Sequence, residues 1–263
     1  MTATAEVAVI GGSGFYSFLD DAEQHTVSTP YGEPSGPVSV GSVAGRRVAF
    51  LPRHGGHHEF PPHRIPYRAN AWALRALGVR QILAPCAVGS LRPELGPGSV
   101  VVPDQLVDRT QARVQSFVET GACHVPFADP YCERLGDSVQ QSAPDVVRGG
   151  AMVVVEGPRF STRAESQSYA AQGWSLVNMT GHPEAVLARE MLQCYTPIAL
   201  VTDLDAGVEA GAGVSQEEVF ALFAQNLERL RTMLADTIAA LPDPDGCSCS
   251  GWAQGVELTY ALP

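Results

Sequence analysis

Asp203 and Asp205 are carboxylates two residues apart, at the end of the apolar run Ile198 to Val201. If the strand conformation carries through Thr202 to Asp205, both acids point to one face. Two acids converging beside buried apolar surface bind a metal, share a proton, or read a partner that offers hydrogen-bond donors.

Other loops carry residues suited to an anion or a ring. Gly11-Gly12-Ser13-Gly14 follows the run Val7 to Ile10, so its N–H groups and the Ser13 hydroxyl suit an anion, or simply make a tight turn. It is not the dinucleotide fingerprint, because Ser17 stands where the third glycine belongs, and no Walker lysine is present. In Arg53-His54-Gly55-Gly56-His57-His58 a guanidinium offers a planar fork to phosphate and an imidazole adds a donor. The three histidines lack the helical spacing of a zinc protease and have no nearby cysteine pair, so no metal is assigned to them, and a solvated loop is the alternative to a phosphate site. Phe160, after the run Met152 to Val155, suits stacking on a base or a place in the core. Thr180 precedes a helix whose first N–H groups would favour an anion, and capping is its alternative role.

These residues need strands to carry them. Short apolar or β-rich runs occur at Val7–Ile10, Val48–Leu51, Gln81–Ala84, Val100–Val102, Met152–Val155, Leu176–Asn178 and Ile198–Val201, enough for seven strands in one sheet. Ala69, Trp72, Ala73, Ala76 and Leu77 have helical spacing and Gly78 ends that helix. Pro183 suits the first turn of a helix over Glu184–Leu192, and Ser215 with Glu218 predicts a capping box on a long final helix. The alternation implies one α/β domain over residues 1–241, a mixed central β-sheet flanked by helices, with ligands where strands end.

The chain's 263 residues suffice for a full core, and 17 basic against 28 acidic side chains give a net charge of −11. That charge argues against nucleic acid or an anionic membrane as the main partner. Met1 to Glu6 has no basic segment, and the apolar run after it is too short for a signal or a span, so a cytoplasmic protein is expected. The six cysteines are scattered and expected as free thiols.

Taken together, from Val9 to about Leu234, the motifs resemble the trimeric purine nucleoside phosphorylase superfamily, and within it the 5′-methylthioadenosine phosphorylases. The resemblance rests on Ile10-Gly11-Gly12-Ser13-Gly14, Arg53-His54-Gly55, Tyr67-Arg68-Ala69-Asn70, Ala87-Val88-Gly89-Ser90-Leu91, Asp104-Gln105, Asp108-Arg109-Thr110, Glu156-Gly157-Pro158-Arg159-Phe160, Asn178-Met179-Thr180 and Thr202-Asp203-Leu204-Asp205. It implies phosphorolysis: phosphate attacks the anomeric carbon, the purine leaves, and phosphate is a co-substrate with no cofactor. It assigns phosphate to Ser13, Arg53, His54, Cys86, Ala87 and Thr180, and catalysis to Asp203, Asp205 and His54. Met179 and Glu184 fall near the sugar, His58 in the phosphate and sugar region, and Phe160 beside the base.

Physically, a protonated Asp203 would donate to purine N7 as the base departs, while Asp205 accepts from the 6-amino group. Adenine presents an acceptor and a donor there and a 6-oxopurine two acceptors, so the pair selects adenine. The 6-oxopurine enzymes of the family typically carry Asn at the position of Asp203.

Val214-Ser215-Gln216-Glu217-Glu218-Val219-Phe220 begins the helix that flanks the 5′ substituent in the family, which brings Gln216, Val219 and Phe220 to that wall. Methylthio-specific members usually have a small apolar residue at the position of Gln216, so adenosine or another polar 5′-substituted nucleoside is the alternative substrate. Gly181-His182 also departs from the family pattern, and His182 has no assigned role. His124 matches a residue donated across the subunit interface to the neighbour's 5′ pocket, which implies a homotrimer.

Residues 242–263, with Cys247-Ser248-Cys249, resemble a tail linked to redox behaviour in some archaeal members. Because two cysteines alone cannot complete a structural zinc site, a disordered tail is expected. Two rival functions remain: a non-catalytic nucleoside-binding protein, and metal-assisted hydrolysis at the aspartates. For the latter, Asp20-Asp21 does not form the spaced cluster a calcium-dependent hydrolase needs.

Overall fold

The computed structural model describes residues 4–208 and 213–263, so Met1 to Ala3 of the N-terminal reading lie outside the described residues. The first half of the chain forms β1 (Val7–Gly11), β2 (Glu23–His25), β3 (Val38–Val43), β4 (Arg46–Pro52), α1 (Tyr67–Ala76), β5 (Gln81–Ser90), β6 (Val100–Val102) and β7 (Gln105–Arg109). The second half forms α2 (Glu133–Ser142), β8 (Val147–Arg148), β9 (Ala151–Val155), α3 (Arg163–Ala171), β10 (Leu176–Asn178), α4 (Gly181–Glu190), β11 (Cys194–Leu204), α5 (Gln216–Ala240) and α6 (Ser248–Gly251).

All eleven strands described belong to one mixed sheet, in which β2-β3-β4-β1-β5-β10-β9-β7 run in order while β11 pairs β5 and β6, and β6 pairs β8. Each of the seven apolar runs lies within one of these strands. The four further strands, β2, β3, β7 and β8, are more polar, which hides them from a search for apolar runs.

The chain β4, β1, β5 and β11 is parallel, so their C-terminal ends emerge on one side. Alternation along β1 sends Ala8 and Ile10 to one core layer with Ala73, Leu74, Ala185 and Ala188 of α1 and α4. Val7 and Val9 face the other layer, with Leu135 and Val139 of α2 and Phe223, Leu230 and Leu234 of α5.

β5 runs six residues past the predicted Ala84, because its whole length pairs with β11 and its end also pairs antiparallel with β10. Val201 stands opposite Val88 but Asp203 opposite Gly89, so Thr202 is the extra residue of a β-bulge. Such a bulge re-aims the side chains that follow it, here the two aspartates.

Two helix-cap expectations are corrected. Ser215 is the N-cap of α5 but its side chain makes no capping bond, and the capping box is found instead at Thr162 and Glu165, at the start of α3. Thr180 precedes α4 without a side-chain capping bond, because Asn178 Oδ1 accepts from the N–H groups of Thr180 (2.8 Å) and Gly181 (2.6 Å). Nor are residues 242–263 a disordered tail. Cys247 and Cys249 are buried, Trp252 Nε1 donates to the Arg189 carbonyl, and the Tyr260 hydroxyl donates to that of Glu190.

Candidate active site

The strand ends and the start of α5 enclose a cleft of about 330 Å³, within the range of small-molecule sites. Its lining includes Ser13 after β1, Arg53, His54 and His58 after β4, Cys86 and Ala87 within β5, and Phe160 after β9. Met179 and Thr180 after β10, Asp203 and Asp205 at the end of β11, and Gln216, Val219 and Phe220 on α5 complete it. Of the residues named from sequence, Glu184 and His124 are not in the lining.

Arg53 is 1% exposed and Glu184 lies directly behind it. Nε and Nη2 donate to the two carboxylate oxygens of Glu184 at 2.7 and 2.8 Å, and Nη1 donates to the Pro85 carbonyl at 3.1 Å. The planar fork expected to grip phosphate is therefore occupied by Glu184, leaving one hydrogen on each terminal nitrogen for a ligand. Burial alone would lower the guanidinium's pKa, but the Glu184 carboxylate overrides it and raises the pKa above its ordinary value. Tyr195, at the start of β11, donates to the same carboxylate at 2.8 Å. Glu184 thus positions Arg53 and does not line the cleft itself. Gly12 is required in front: a Cβ there would lie 2.9 Å from the Pro85 carbonyl and 3.0 Å from Nη1 of Arg53.

His54 is buried and its Nδ1 lies 2.8 Å from the Phe60 carbonyl, which can only accept, so Nδ1 carries the proton. Burial foremost, with Arg53 and His58 adding, lowers its pKa to about 3, so the ring stays neutral. Nε2 is then an acceptor, which corrects the expected donor. His58 stacks on it, with ring centroids 4.4 Å apart, and accepts from or donates to the Tyr16 hydroxyl through Nδ1 at 3.1 Å. Burial pushes the Cys86 thiol up to about 12, so it remains protonated. At the start of α4 the Thr180 and Gly181 N–H groups are already taken by Asn178, which itself lines the cleft.

At the other end, both aspartates converge over Gly89. A Cβ on that residue would meet Asp203 Oδ1 at 3.0 Å and Asp205 Oδ1 at 3.2 Å. Asp203 Oδ2 accepts from the Thr202 hydroxyl at 2.7 Å, whereas its Oδ1 is buried without a partner among the described residues. Burial, joined by Asp205 and Glu218 and opposed by the Thr202 hydroxyl, raises its pKa to about 6. Asp205 is more buried, accepts a short hydrogen bond from the Ser166 hydroxyl, and is also raised by burial. The Ser161 hydroxyl, in the same wall, is buried beside Asp205 and, like Ser166, opposes the rise of its pKa. Unpartnered polar atoms in a cleft wall are costly unless a ligand engages them.

Residues 6–240 match the family described as the Phosphorylase superfamily. The chain belongs to that superfamily. It is 56% identical to the "S-methyl-5'-thioadenosine phosphorylase" of Mycolicibacterium smegmatis over 98% of this chain and 99% of that one. It is also 56% identical to the "Purine nucleoside phosphorylase" of Streptomyces coelicolor over 98% of each chain. A solved methylthioadenosine phosphorylase from Schistosoma mansoni in complex with adenine has a TM-score of 0.86 at 36% identity, covering 89% of this chain and 91% of that one.

In this phosphorylase several lining residues have no site role assigned from sequence: Asn178, Thr202 and Pro158, which lie within the family motifs, and Ser161, Pro61 and Pro62. Asn178 had a signal, since Asn at a strand end two residues before a helix suits an Asx turn. His182, unassigned from sequence, lies 2.9 Å from Gln115 Oε1 and 3.3 Å from Asp108 Oδ2, outside the cleft lining. His124 is exposed.

Proposed function

We propose that this phosphorylase cleaves the N-glycosidic bond of 5′-methylthioadenosine with inorganic phosphate, giving adenine and 5-methylthioribose 1-phosphate. It is a pentosyltransferase. The observation that carries the base specificity is Asp203, with an unpartnered buried Oδ1 and a raised pKa, paired with Asp205 over Gly89. In the transition state the sugar becomes cationic and the purine anionic. Protonated Asp203 stabilises the leaving base at N7, and ionised Asp205 accepts from the 6-amino group. At the opposite end Ser13, the Thr180 hydroxyl and the free hydrogens of Arg53 hold phosphate, and neutral His54 accepts from a protonated phosphate oxygen through Nε2. Met179 and His58 lie along the sugar and Phe160 beside the base. The reaction calls for no cofactor.

This assignment fixes the sign of the pH dependence. Asp203 must be protonated, and that form declines as pH rises through about 6. The expected result is a kcat/KM for nucleoside that falls above about pH 6 in wild-type enzyme. Asp203→Asn should lose that limb, as pH–rate profiles at saturating phosphate will show.

A second reading, a purine nucleoside phosphorylase preferring adenosine, is supported by Gln216 in the lining and by the name of the Streptomyces relative. Gln216→Ala is expected to raise the ratio of methylthioadenosine to adenosine turnover several-fold, and a lowered ratio would reverse this reading of the 5′ wall. The reading also takes the enzyme as a cytoplasmic homotrimer of purine and methionine salvage, with exposed His124 reaching a neighbour's 5′ pocket. None of the described helices is long and apolar enough to cross a membrane. Chromatography of the products tests the reaction: adenine and a pentose 1-phosphate should form in equal amounts, and free methylthioribose in their place would overturn it.

A further inference from the structure

The late Cys-Ser-Cys does not stand alone. Sγ atoms of Cys132, Cys194, Cys247 and Cys249 all lie within 4.8 Å of one another, and all four residues are buried. They come from three separate parts of the chain: Cys132 is the N-cap of α2, Cys194 begins β11, and Cys247 and Cys249 bracket the start of α6. All four are free thiols. We propose that these four sulfurs form a structural zinc site that fastens the C-terminal segment to the sheet.

The geometry fits a four-coordinate ion. A tetrahedron of Zn–S bonds of about 2.3 Å has edges of roughly 3.8 Å. The Cys132 and Cys247 sulfurs are 3.7 Å apart, and the remaining pairs stay within 4.8 Å. No fifth side chain able to ligate a metal belongs to the cluster among the described residues, so the shell is closed, as in structural zinc sites.

The surroundings suit the charge such a centre carries. Four thiolates and one zinc ion leave an excess of negative charge. Arg134, in the first turn of α2, interacts electrostatically with Cys247, Cys194 and Cys132, and Arg189 does so with Cys249. Nε and Nη2 of Arg134 are buried without a hydrogen-bond partner among the described residues. Anionic sulfurs are acceptors for such donors, whereas neutral thiols are poor ones. The N-terminus of α2 also favours a thiolate at Cys132.

On binding, zinc displaces the four thiol protons to solvent and no electron is transferred. Loop closure then links position 132 to positions 247 and 249, which stabilises the folded chain against detachment of its C-terminal segment.

The test uses the full-length protein produced with zinc in the medium, measuring bound metal by mass spectrometry after desalting. The expected content is one zinc per chain, and the double variant Cys247→Ser with Cys249→Ser should lose it. That variant should melt roughly 5–10 °C lower while retaining phosphorolysis at 25 °C, because neither residue lines the cleft. Cobalt in place of zinc in the wild-type chain should give the visible absorption of a tetrahedral thiolate site, a readout that does not depend on the variant folding. Wild-type protein without metal overturns the proposal, whether its intact mass is lower by four hydrogens, as two disulfides require, or its four thiols remain free.

Discussion

Asp203→Asn is expected to reduce kcat/KM for adenine nucleosides by about 10²–10⁴ while admitting 6-oxopurines that the wild type rejects. The amide keeps a donor toward N7 but cannot release a proton to the departing base, so binding survives better than turnover. Its NH₂ group can also donate to O6 of an oxopurine, an acceptor that ionised Asp205 otherwise repels. The effect is large because the β-bulge at Thr202 and the bare Gly89 bring both carboxylates to one point of the cleft. Steady-state rates with adenosine and inosine for both proteins check the two halves of the expectation. Unchanged selectivity would remove Asp203 from base recognition.

Glu184→Ala is the second large effect, and it separates positioning from contact. Arg53 is 1% exposed, so deleting its partner leaves a guanidinium buried without a counter-charge, and the Tyr195 hydroxyl loses its acceptor. Removing one side of such a pair costs about 3–5 kcal/mol, which in a chain of this size lowers the melting midpoint by roughly 10 °C. Glu184→Gln keeps an acceptor for part of the network and should cost less. In that milder variant KM for phosphate is expected to rise about tenfold or more, with little change in KM for nucleoside, since Glu184 is not in the cleft lining. Thermal melts and the two KM values check this, and equal increases in both would place Glu184 at the nucleoside.

The comparison of these two sites shows what the sequence made legible. Asp203 lies on β11 and Asp205 one residue past its end, so their convergence was readable from spacing, though the bulge that aims them depends on pairing with β5. Arg53 and Glu184 are 131 residues apart, and no local pattern joins them. Arg53 therefore read as a free fork for phosphate, when a buried carboxylate holds that fork from behind. The same limit hid the sulfur cluster, where Cys132 and Cys194 meet a segment that composition alone marked as a tail.

Local rules also failed where another residue close in sequence supplied the partner. Ser215 and Glu218 have capping-box spacing, yet the box forms at Thr162 and Glu165. Thr180 read as a helix start able to bind an anion, but Asn178 had already claimed its N–H groups. The apolar runs fared better, because unbroken apolar sequence along β1 and the middle of β11 records burial on both faces of the sheet directly.

Phosphate dependence with 5′-methylthioadenosine, followed as adenine release with and without inorganic phosphate and with inosine in parallel, tests the account most directly. Adenine is expected only when phosphate is present, together with 5-methylthioribose 1-phosphate, while inosine is left largely uncleaved. Adenine release without phosphate, or inosine cleaved at an equal rate, would contradict it.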